Sequence, residues 1–148
     1  MSRRTARKHA FFLIFQFEFH NEFDCERQTE LYLANNENIP EEHDKPVISS
    51  DDLKFINTEI NGTYGNLTKI DSVISENLSG WEIDRINKID LAILRLAVYE
   101  MVFEEKIPLN VSINEAVELA KAYGTDDSYQ FVNGVLASVY QLMQKNDG

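Results

Sequence analysis

The chain has 148 residues, 43% of them hydrophobic, with 14 Lys+Arg against 25 Asp+Glu and a formal net charge of −11. That size and composition predict one soluble domain over 1–148, able to bury about 69% of the unfolded chain's surface. A single cysteine, Cys25, excludes an internal disulfide, and the scattered His9, His20 and His43 offer no metal-ligand spacing. No apolar run reaches the ~18 residues of a membrane span. With the lone thiol, this points to a reducing, cytoplasmic setting and no membrane partner.

Charge is segregated along the chain. Arg3, Arg4, Arg7 and Lys8 fall within the first eight residues, and the remainder carries 10 basic against 25 acidic residues. Such a split predicts a polyanion at the basic end, read here as RNA, and a basic partner on the acidic body. The start also mimics a signal peptide, but Gln16 breaks the apolar run, Glu18 follows it and no small-x-small cleavage site comes next.

In chain order, periodicity and punctuation predict a helix from about Arg3 to His20 and a second over Glu26 to Ala34. Residues 35–49 hold two prolines and few large apolar residues, a surface loop. Ser50 is the expected N-cap of a helix over Asp51–Asn61, with Gly62 ending it. Another helix covers Asn66–Leu78 and stops at Ser79-Gly80. Ile83 to Glu105 is apolar almost all round the helical wheel, which predicts a central element buried on every side. After Pro108, Ser112-Ile-Asn-Glu115 reads as a capping box for a helix to Tyr123, closed by a left-handed Gly124. Asp126-Asp127-Ser128 should cap a last helix to about Gln144, with Phe131, Val135, Val139 and Leu142 inward. No segment alternates like a strand, so the fold class is all-α.

Within the first helix, Ala6, Ala10, Leu13 and Phe17 share the core stripe. Arg4, Arg7, Lys8, Phe11 and Phe15 share another face, where cations can grip phosphates and rings can stack on unpaired bases. Cations at a helix N-terminus oppose its macrodipole, and a bound phosphate reverses that penalty. Four phosphate contacts imply a salt slope of about −2.8 for a single strand. The same residues also fit a solvated, frayed terminus with Phe11 and Phe15 packed on a neighbouring helix.

Other candidates are bland. The carboxylates mark no acid–base pair, and Asp126-Asp127 suits capping better than catalysis. Asp90, Arg95 and Glu100 in the apolar segment suggest buried ion pairs, and Gly134 suggests close helix packing. Gly62, Gly65 and Gly80 form no phosphate-cradling loop. No enzyme, cofactor or metal is expected.

Four blocks carry a family resemblance: Arg-Arg-Thr-Ala-Arg-Lys-His-Ala at 3–10, Ile-Asp-Leu-Ala-Ile-Leu-Arg-Leu-Ala-Val-Tyr-Glu-Met at 89–101, Val-Ser-Ile-Asn-Glu-Ala-Val-Glu-Leu-Ala-Lys at 111–121, and Ser-Tyr-Gln-Phe-Val-Asn-Gly-Val-Leu at 128–136. Together they resemble the bacterial transcription antitermination factor NusB family over nearly the whole chain, least in the loop at 35–49. The resemblance implies two small helical bundles and no catalysis. It implies a complex with ribosomal protein NusE that binds boxA-type leader RNA and joins RNA polymerase in antiterminated transcription of rRNA operons, as a monomer or homodimer.

By position, the resemblance places the RNA-binding arm on Arg3, Arg4 and Arg7, with Lys8 adding a charge where Glu is common. Phe15 stands where Tyr is frequent, Thr5 where Arg is frequent and Gln130 where Lys is frequent. Asp127 and Phe131 match RNA-proximal positions, and Asp84 and Asp90 match the NusE-facing surface. For Asp90 a buried pair competes with that role. Two other functions remain open. One is a helical protein–protein module without RNA. The other is an accessory role in rRNA modification, since a similar domain precedes some rRNA methyltransferases; this chain carries no cofactor loop or catalytic cysteine motif of its own.

Overall fold

The computed structural model describes residues 1–35 and 48–147, so the loop expected at 35–49 falls almost wholly outside the described residues. The described elements are helical throughout: α1 (Arg3–Phe15), α2 (Cys25–Ala34), α3 (Ser50–Gly65), α4 (Leu67–Glu76), α5 (Lys88–Phe103), α6 (Leu109–Tyr123) and α7 (Ser128–Asp147). Short 3₁₀ turns follow α1 at Gln16–Phe19 and precede α5 at Ile83–Arg85. Helices α1–α3 pack together, α4–α7 pack together, and α5 touches both groups. Among the described residues no helix is long and apolar enough to cross a membrane.

The helix starts follow from short polar side chains that satisfy free backbone donors. Ser2 Oγ accepts from the Thr5 N–H at 3.0 Å, opening α1 so that its cations fall in the first two turns. Asp24 Oδ1 accepts from the Arg27 N–H at 3.0 Å and opens α2. Ser49 and Asp52 form a reciprocal capping box on α3, one residue ahead of the expected Ser50. Asn87 caps α5, so the apolar segment becomes α-helical at Lys88 rather than Ile83.

Every residue of α5 from Asp90 to Met101 is buried, as its all-round apolarity predicts. Leu13, Ile14, Ile56, Ile60, Ile70, Ile74 and Leu136 close around it without solvent exposure. Asp90, Arg95 and Glu100 of α5 are indeed buried, but each has its own surroundings. Arg95 forks onto Asp71 at 2.8 and 2.9 Å and reaches Glu18 at 2.5 Å, tying the turn after α1 to α4. Glu100 accepts from Arg7 Nε and from Ser112 Oγ, both at 2.8 Å. Asp90 is influenced by the Ser128 side chain, and among the described residues its Oδ1 has no donor.

Several expectations fail for physical reasons. Gly62 does not end α3; an added Cβ would sit 2.3 Å from the Tyr99 ring, so the glycine permits close approach of α3 and α5. Helix α6 begins at Leu109, and Ser112 is buried inside it bonding Glu100, so Ser112 and Glu115 form no capping box. Gly124 is extended, at φ −88° and ψ −169°, and not left-handed. Gly134 has open space where a Cβ would stand, so close packing does not account for it. On α7 the inner residues are Val132, Val135, Leu136 and Val139, whereas Leu142 is exposed.

Candidate nucleic-acid interface

Helix α1 contacts α3 and α5 and also presents residues to α6, so more than one of its faces is covered. Ala6, Ala10, Leu13 and Phe17 are buried as the wheel predicts. The second face is not a free basic surface. Arg7 is only 5% exposed and bonds Glu100, and Phe11 is buried with its ring 5.6 Å from Tyr123. Arg7 is thus committed to Glu100 with little of it exposed, and the packed-aromatic alternative holds for Phe11. Phe15 is half-buried, edge-on to the exposed Phe19 at 5.2 Å.

Arg3, Arg4 and Lys8 remain at or near the surface. Arg3 lies 4.2 Å from the centre of the Phe55 ring and 3.3 Å from Asp51 Oδ2. Arg4 directs Nε to Glu115 Oε2 at 3.0 Å and Nη2 to Glu115 Oε1 at 3.1 Å. Arg4 and Glu115 line a groove of about 260 Å³ between α1 and α6, together with Thr5, Arg7, Lys8, Glu118 and Tyr123, whereas Arg3 lies against α3. The groove holds cations and carboxylates side by side, so a polyanion entering it meets both signs of charge.

A second cavity, of about 300 Å³, lies where the turn before α5 meets the start of α7. It brings together Asp90, Asp127 and Phe131, which sequence alone assigned to two different partners. Asp84 sits exposed on the adjoining 3₁₀ turn. Burial raises the Asp90 carboxyl above the usual Asp range, against the lowering effect of Ser128. Trp81, 59% exposed and 6.3 Å from the Phe131 ring centre, forms one wall. Sequence reasoning missed it, although the only tryptophan, directly after Ser79-Gly80, was a usable signal. Tyr123 lines the first groove and Thr125 the second cavity, so the two sites meet at the α6–α7 turn.

Residues 4–141 match the NusB family. The transcription antitermination protein NusB of Agathobacter rectalis is 42% identical over 137 residues, spanning 93% of this chain and 98% of that one. The solved structure of T. maritima NusB has a TM-score of 0.81 at 36% identity, covering 95% of this chain and 92% of that one. A crystal structure of antitermination factors NusB and NusE in complex with dsRNA shares the fold, with a TM-score of 0.80, 24% identity and coverage of 95% and 96%.

Proposed function

The chain belongs to the NusB family, and on that premise we propose that it is a transcription antitermination protein that binds single-stranded boxA-type leader RNA together with NusE. In this reading it joins the RNA polymerase complex on rRNA operons as a binding protein, without catalysis. The observation that carries the RNA role is the exposed Arg4 guanidinium in the α1–α6 groove, with Lys8 lining the same groove and Arg3 beside it in sequence. These three cations take phosphates. Phe15 and Phe131 offer faces to unpaired bases, and Asp127 supplies an acceptor beside Phe131. Arg7 acts from behind, holding α1 against Glu100.

The excess of carboxylates outside the arm suits a basic partner such as a ribosomal protein. Asp84 is exposed for it, and the Oδ1 of Asp90, which meets no donor among the described residues, suits a donor brought by that partner. The test is double charge reversal, Arg4→Glu with Lys8→Glu. Loss of RNA affinity with NusE binding retained supports the assignment. Unchanged RNA affinity favours the helical interaction module, which the burial of Arg7 and Phe11 makes the second reading.

A further inference from the structure

We propose that Glu115 sets the RNA affinity by competing with phosphate for Arg4, so that binding exchanges a carboxylate for a phosphodiester. This rests on the RNA-binding reading above and adds a determinant that acts against it.

The Arg4 side chain is 69% exposed, whereas that of Glu115 is 18% exposed. The acid is the anchored partner and the arginine swings at the surface. The contact is two-point, Nε to Oε2 and Nη2 to Oε1, and it occupies the fork that also matches two phosphate oxygens. Glu118 lines the same groove and its charge also acts on Arg4. A phosphate that takes this edge of Arg4 displaces Glu115 and leaves its mostly covered carboxylate without its guanidinium. The neighbouring Arg3 meets Asp51 through one longer contact of 3.3 Å, with Asp51 itself 78% exposed. Of the two carboxylate contacts the one at Arg3 is the looser, its guanidinium lying also over the Phe55 ring, and the two-point gate is at Arg4.

The opposite role is chemically definable. If RNA uses the far edge of the guanidinium while Glu115 keeps its hold, Glu115 orients Arg4 and its charge helps binding. The two roles differ in sign. The experiment measures the Kd of a labelled single-stranded RNA by fluorescence anisotropy for the parent, Glu115→Gln and Glu105→Gln, each also in an Arg4→Ala background. Glu105 is an exposed carboxylate beyond the end of α5, outside the groove, and its variant makes the same change in net charge. Glu115→Gln is expected to bind about three- to five-fold more tightly, the range of a surface ion pair. Glu105→Gln should stay within about two-fold of the parent, and the Glu115→Gln gain should vanish in the Arg4→Ala background. Weaker or unchanged binding by Glu115→Gln overturns the proposal, as does a gain that persists without Arg4 or equals that of Glu105→Gln. In those cases the parent still binds and the RNA reading stands. Absence of binding by every protein, parent included, removes both.

Discussion

Glu59 on α3 is buried with neither carboxyl oxygen meeting a donor among the described residues. Burial first, and then the Glu100 carboxylate, push its carboxyl up from 4.5 to about 11. A folded value above the unfolded one means that the folded chain binds the proton more tightly. Its contribution is complete below pH ~4.5 and declines as pH rises toward 11. Between pH 5 and 9 the parent should therefore lose stability relative to Glu59→Gln, which carries no proton to lose. Urea titrations of both proteins across that range check this; parallel pH profiles would contradict it. Two glycines give a paired prediction. Gly62→Ala meets the Tyr99 ring and should cost about 1–3 kcal/mol, whereas Gly134→Ala fills open space on the exposed face of α7 and should gain about 0.5–1 kcal/mol. Thermal melts with opposite shifts are expected. At this scale the core stripe of Ala6, Ala10 and Leu13 is buried as the helical wheel indicates, but Arg7 and Phe11, on the face expected to be open, are buried as well. A helical wheel says which side chains share a face, not how many faces neighbouring helices cover.

Elements were legible where a short polar side chain or an unbroken apolar segment marked them. Helix α2 begins one residue from its expected start, and α5 is buried all round, because these signals are local. Ser112-Ile-Asn-Glu115 misled because the same four residues fit a helix start and a helix interior. The choice is made by distant partners: Glu100 takes the Ser112 hydroxyl and Arg4 takes Glu115. Ser112→Ala should accordingly leave the helix content of α6 unchanged, by circular dichroism. It should still cost about 1–3 kcal/mol in urea unfolding, because the buried Glu100 loses a donor. A loss of helicity would restore the capping interpretation. The end of α1 tightens into a 3₁₀ turn at Gln16–Phe19, where Glu18 reaches Arg95 and Lys88, contacts from 70 or more residues away that no local pattern encodes.

At the scale of the molecule, the uneven charge that opens the sequence persists in the fold, but in a modified form. Arg7 is buried, and Arg3 and Arg4 at the surface meet carboxylates of α3 and α6. That arrangement predicts weak, salt-sensitive RNA binding by the chain alone, strengthened when a basic partner covers part of the acidic body. With three phosphates neutralised, the salt slope for a single strand should be about −2.1 instead of −2.8, or roughly 20-fold weaker binding from 50 to 200 mM salt. The most direct test is anisotropy of a labelled boxA-type RNA titrated with this protein at those two salt concentrations, with and without NusE. A slope near −2 for the protein alone and a lower Kd when NusE is present are expected. Binding that ignores salt, or that NusE leaves unchanged, would contradict that expectation.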